Sequence, residues 1–170
     1  MKTLQSHFNY KKRFRKKDGS AIRKKFKLNK SPVLLYVGRI SPHKGIHILI
    51  RIFKEVKKEV PDAKLLIVGK HTFGGYSKEM RQLAGRDVIF AGFVTDADLP
   101  GYYAAADIYV TCSLWEGFDI PIVEAEAAGK PSVAFNIGSH KEVLKNGILV
   151  KENDLEGFKD AVVSLIKRKK

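Results

Sequence analysis

The chain has one cysteine, two methionines and one tryptophan in 170 residues. A lone Cys112 excludes an internal disulfide and fits a reducing compartment. It closes an apolar run, so an inert, buried thiol is expected. No apolar stretch approaches the ~18 residues of a membrane span, and no apolar segment follows the basic start as a leader would require. The five histidines fall at no spacing that would join them to cysteine or carboxylates as metal ligands, so no metal and no cofactor are expected. Two phosphate-binding signatures are also missing. Neither G-x-G-x-x-G nor G-x-x-x-x-G-K-[ST] occurs, which removes the simplest dinucleotide and Walker-type readings.

Acid is scarce in two places. Residues 1–30 hold Asp18 alone against twelve Lys and Arg, and the last four residues, Lys167 to Lys170, are all basic. The remainder lies within one charge of neutrality. The excess therefore sits on the tails rather than on one face. Aromatic residues are not interleaved with it, and no nucleic-acid partner is expected. Residues 1–30 read as a solvated basic linker or arm, with Ser20 capping a short helix over 21–26. Its charge suits weak contact with an anionic membrane surface. The expected location is cytoplasmic, peripheral on the inner membrane face.

What is present, from Ser31 onward, is strand alternating with helix. The runs 33–38, 65–69, 87–90, 108–111, 132–135 and 148–150 are short and almost wholly apolar, as parallel strands covered on both faces should be. Between them, helical spacing places Ile46, Leu49, Ile50, Phe53 and Val56 on one face over 45–60, and Pro61 stops that helix. A short helix is expected over 77–85, another from an Asp96 cap towards Ala105, and another near 141–144. A last amphipathic helix starts at Asp154 with Leu155, Phe158, Val162, Leu165 and Ile166 inward. The fold class is α/β, a doubly wound, mainly parallel, six-stranded Rossmann-like sheet with helices on both faces. Residues 31–170 form its one domain.

In such a sheet, ligands bind outside the carboxyl ends of the strands. The unusual residues fall there. The first strand is followed by Gly38, Arg39 and Lys44, the second by Gly69, Lys70 and His71, the third by Gly92, Phe93 and Val94. After the fourth strand comes EGFDIPIVE, with Glu116 in a loop and Glu124 about one turn into a helix that has Pro121 in its first turn. Gly129 ends that helix, and Lys130-Pro131 bars its continuation. Both carboxylates are expected to face one crevice, beside the N–H groups of a helix N-terminus. Arg39 offers a forked donor set and Lys44 a compact charge, together suited to a diphosphate.

The blocks GRISPHKG, FAGFV, YYAAADIYVTCSLWEGFDIPIVEAEAAGKPSVAF and IGSHKEV followed by GILV, in this order and spacing, resemble the C-terminal domain of the family-four (group one) glycosyltransferases. These are retaining enzymes of the two-domain GT-B fold, and the resemblance covers about Pro32 to the end. Glu116 and Glu124 match the family's E-x7-E motif. The resemblance implies a nucleotide-diphospho-sugar as donor, with Arg39 and Lys44 at its diphosphate and Gly38 among the residues that bind it. It implies Glu116 and the N–H groups of Gly117, Phe118 and Asp119 at the sugar, Glu124 at the ribose and Val94 along the base. Glu116, Arg39 and Lys44 would carry catalysis, and no metal is implied. An N-terminal acceptor domain, in the same or another chain, would complete the cleft. The family usually has a second glycine where Asp119 stands, and an aspartate there serves equally as a helix cap. His140 reads as a polar loop residue. The competing function is a non-catalytic nucleotide- or partner-binding module of the same fold.

Overall fold

The computed structural model describes residues 12–70 and 74–169. The expectations for residues 1–11, His71 and Lys170 lie outside them. Strands β1 (Val33–Val37), β2 (Lys64–Val68), β3 (Val88–Gly92), β4 (Ile108–Thr111), β5 (Ser132–Phe135) and β6 (Gly147–Val150) form one sheet. Its order is β3-β2-β1-β4-β5-β6, and every pairing is parallel. The helices are α1 (Ser20–Lys25), α2 (Ile46–Glu59), α3 (Gly74–Leu83), α4 (Leu99–Ala105), α5 (Ile120–Ala127), α6 (His140–Val143) and α7 (Leu155–Lys167), with a 3₁₀ turn at Pro42–Lys44.

The apolar strands need cover on both faces because their residues alternate between two cores. Leu34 and Tyr36 of β1 join a core built from α2 and α7, while Val33 and Leu35 join one that includes α4 and α5. The side-chain period of two thus divides one strand between two layers. On the first layer, Ile46, Leu49, Ile50, Phe53 and Val56 of α2 are all buried, as their spacing predicts. On α7, Phe158, Val162 and Ile166 are buried, but Leu155 is 39% exposed. It sits in the first turn, ahead of the packed face.

Strand order reverses between β1 and β4. A crevice opens there at the carboxyl edge of the sheet, where the β1 and β4 loops diverge to opposite faces. α5 ends sharply at the opposite edge of the sheet, where the chain enters β5. Gly129, at φ 73°, donates to the Glu126 carbonyl, and the Lys130 N–H reaches the Ala125 carbonyl at 2.8 Å. That is the paired bonding of a Schellman stop, and only glycine enters this left-handed region cheaply.

Three local expectations change. The arm is not a solvated linker over its described part: Phe14, Gly19 and Leu28 are buried, Phe14 and Leu28 within the second core. Burying a phenyl ring outweighs the solvation of its charged neighbours, which remain outside. Asp18, rather than Ser20, receives the first free N–H of α1, from Ser20 at 2.9 Å. α4 begins at Leu99 rather than next to Asp96, because Thr95 and Asp98 close a turn through a 2.7 Å side-chain bond. The two basic segments also meet: Arg23 from α1 and Lys169 after α7 both bond Asp107. Shared bonds and the Val33 N–H hold that carboxyl below its usual range against the opposing effect of burial.

Candidate functional site

The loop after β1 turns tightly. Ser41 is extended, Pro42 opens the 3₁₀ turn, and Gly45 at φ 65° both ends it and leads into α2. A Cβ on Gly45 would lie 2.0 Å from the Cys112 carbonyl oxygen. No other residue allows the β1–α2 loop to rest so closely on the end of β4. The Leu114 N–H adds a 2.9 Å bond to the His43 carbonyl. Buried Cys112 keeps its proton, since burial pushes the thiol well up.

With the loops clamped together, Lys44 Nζ donates to Glu116 Oε1. Ser113 Oγ donates to the same oxygen at 2.8 Å. The Lys44 and Glu116 side chains are 17% and 10% exposed, so water screens this pair far less than a surface bridge. Beyond them, the Glu116–Asp119 turn lies against the loop after β5. A Cβ on Gly138, at φ 41°, would come within 2.5 Å of the Glu116 carbonyl oxygen.

These residues surround a cavity of about 240 Å³ at the β1/β4 reversal. Its lining includes Gly38, Arg39, Lys44, Ser113, Glu116, Phe118 and Asp119, with Ile120 and Pro121 from the first turn of α5. Arg39 is exposed at this edge. A helix N-terminus and two cations, one of them paired with Glu116, give this cavity donors for an anion. Gly117 is exposed on the turn between Glu116 and Phe118. Among the described residues, no group of three or more His, Cys, Asp or Glu is placed to hold a metal ion.

The remaining expected residues lie outside this cavity. Val94 lines a second one of about 670 Å³, between the arm, with Arg13 and Lys25, and the β3–α4 loop, with Asp96. Arg13 bonds the Asp96 carbonyl and closes one side. Glu124 lines neither cavity. It is 6% exposed, and its Oε2 accepts a 2.8 Å bond from buried Tyr103. Its carboxyl titrates above the usual range, raised by burial against the opposing hydrogen bond from Tyr103 and charge of Arg13. Asp96 and Asp119 add smaller repulsions. Of the two carboxylates, only Glu116 faces the crevice as both were expected to.

Asp119 and His140 depart furthest from expectation. Asp119 occupies the N-cap position of α5 but makes no side-chain capping bond. It is buried instead against His140, which is fully buried rather than a loop residue. An aspartate beside a proline-started helix reads as a cap, and nothing local marks a histidine 21 positions away as its partner. Tyr103, Ser113 and Arg13 are likewise unmarked. The adjacent tyrosines at 102 and 103 carry the one legible hint, since a buried phenol needs a partner.

A profile of the group 1 glycosyl transferases matches residues 31–168. The chain belongs to that family. Among its relatives, the putative glycosyltransferase YtcC of Bacillus subtilis (strain 168) is 36% identical over 143 residues, 76% of this chain and 35% of that protein. The GDP-mannose-dependent alpha-(1-6)-phosphatidylinositol monomannoside mannosyltransferase of Mycobacterium tuberculosis (strain ATCC 25618 / H37Rv) is 31% identical over 160 residues, 85% of this chain and 41% of that one. The crystal structure of Anabaena HepE in complex with UDP superposes with a TM-score of 0.85 at 29% identity, over 94% of this chain and 46% of that one. The chain thus spans less than half the length of each of these three. Its fold is that of one half of a GT-B glycosyltransferase. No helix among the described residues is long and apolar enough to cross a membrane.

Proposed function

We propose that this chain is the donor-binding half of a retaining glycosyltransferase that moves a hexosyl group from a nucleoside diphosphate to a glycan or lipid-linked acceptor. The observation that carries this reading is the convergence of Arg39, Lys44 and Glu116 on one cavity beside the N-terminus of α5. Arg39 and Lys44 take the diphosphate and stabilise the charge that builds on it as the glycosyl bond breaks. That charge is met by side chains and helix N–H groups, so no metal enters the scheme. Glu116 and the N–H groups of the Gly117–Asp119 turn hold the sugar. Glu124 accepts from the ribose through the oxygen that Tyr103 leaves, and the wide cavity at Val94 gives the base room. The acceptor wall comes from an N-terminal domain outside residues 1–170, in the same or another chain.

Calorimetric titration with UDP, GDP and ADP in the presence of EDTA tests the site. At least one should bind, and Arg39→Ala or Lys44→Ala should each weaken it by about 1.5–3 kcal/mol. Equal affinity in wild type and both variants would remove these residues from the site.

A further inference from the structure

His140 follows β5 at the start of α6, and both of its ring nitrogens are engaged. Nδ1 lies 2.7 Å from the Phe135 carbonyl oxygen and Nε2 lies 3.1 Å from Asp119 Oδ2. A carbonyl oxygen only accepts, so Nδ1 carries a proton. Asp119, at the N-terminus of α5, presents a carboxylate, which also only accepts. Both nitrogens therefore donate. A fully buried imidazolium results, balanced by Asp119 and, further off, by Glu116.

We propose that His140, as the imidazolium, is a positioning residue for the Glu116–Asp119 turn, and that donor binding weakens as rising pH removes one of its ring protons. The pH-dependent half rests on the donor-site reading above; the positioning half does not. The turn is held at both ends, Glu116 by Lys44 and Ser113, Asp119 by His140. Once the ring is neutral, one of its nitrogens turns a lone pair on a buried oxygen and the Asp119 carboxylate loses its counter-charge, so that end of the turn loses its anchor. Phe118 and Asp119, which line the cavity, then shift against Arg39 and Lys44.

The groups around the ring set the direction. Asp119 and Glu116 face it from the α5 side, with Lys44 already paired to Glu116. Tyr36 of β1 and Tyr109 of β4 lie beyond, and burial, then the nearby carboxylates, keeps both protonated well past their usual range. Lys141 and Glu142 of α6 are exposed. Burial alone would depress the imidazole, but the bonds to Asp119 and to the Phe135 carbonyl outweigh it and raise it. The contribution is therefore complete on the acid side and lost as pH rises through the raised value.

The test follows the ring nitrogens of the full chain by ¹⁵N NMR from about pH 6 to about pH 10, with the amide chemical shifts of Gly117 and Phe118. Both nitrogens should be protonated at neutral pH. The amide shifts should move along the ring's titration, and affinity for whichever of UDP, GDP or ADP binds should fall with it, by about tenfold or more. His140→Gln donates to Asp119 without titrating, so its amide shifts and affinity should not follow that curve. Asp119→Asn folds without the charge pair and should lower the ring's titration point. A neutral ring at pH 7, or the same pH profile in wild type and His140→Gln, overturns the proposal. If no nucleotide binds, the donor-site reading fails and the pH-dependent half with it, while the ring and amide readouts decide the positioning role.

Discussion

Lys44 and Glu116, 72 positions apart, form an ion pair across the crevice between β1 and β4. The cation assigned to the diphosphate already has an anionic partner. A bound diphosphate must therefore share Lys44 with Glu116. This makes the effect of each side chain on binding opposite in sign.

Glu116→Gln should leave nucleoside diphosphate affinity equal or higher by up to about 1 kcal/mol, because it releases Lys44 to the phosphates. Lys44→Ala should lower it. With an acceptor and a complete cleft, Glu116→Gln should still reduce turnover at saturating donor. Calorimetry on both variants and steady-state kinetics on the first check this. A weaker diphosphate complex in Glu116→Gln would contradict it.

Glu124 gives a prediction about pH. Its carboxyl is raised by burial, so folding favours the protonated form, and stability is lost as pH rises above the unfolded-state value through the raised one. At neutral pH the buried anion is a net burden. Glu124→Gln keeps an acceptor for Tyr103 and removes the charge, so it should stabilise the chain by on the order of 1 kcal/mol at pH 7. The gain should vanish at about pH 4, where the native carboxyl is protonated. Donor binding should weaken, since a ribose hydroxyl loses a charged acceptor. Urea unfolding at both pH values measures the first effect.

The sheet was legible because fully covered parallel strands leave apolar runs that nothing else explains, and α2 because its five inward residues repeat at helical spacing. Lys44 and Glu116 could be assigned to one strand edge, because each follows a strand end. Their direct pairing could not, since it depends on how closely Gly45 lets two distant loops approach. The arm was misread because its composition is dominated by charge, whereas its position is set by Phe14 and Leu28. Asp119 and His140 were each given a local role. Their pairing joins two elements through burial, and no local pattern encodes that.

Gly45→Ala should be more damaging than a surface change. The added methyl meets the Cys112 carbonyl, and the left-handed backbone adds strain. The expected loss is about 2–4 kcal/mol, combining backbone strain with displacement of the loop. Diphosphate affinity should fall as well, because the same loop carries Lys44. Denaturation and binding measured on one preparation would show both losses. Unchanged stability would mean that the loops do not rest on each other as described.

Phe14→Ala tests whether the arm is part of the fold. The ring is 1% exposed and meets Tyr103 edge-on at 5.3 Å, and Tyr103 holds Glu124. Its removal should destabilise the chain by about 3–5 kcal/mol, in the range for a buried phenyl ring. A loss below about 0.5 kcal/mol would return the arm to a solvated linker.

The most direct test of the central claim is product analysis with and without an added N-terminal domain. On the proposed reading, retaining transfer needs donor and acceptor in near-attack contact, with the acceptor wall supplied from outside residues 1–170. The chain alone should bind the donor sugar nucleotide yet form no glycosylated product. Adding the N-terminal domain should restore transfer, and the product should keep the anomeric configuration of the donor. An assembled pair that binds donor but stays inert would favour a non-catalytic nucleotide-binding module. Robust transfer by the 170-residue chain alone would contradict the account outright.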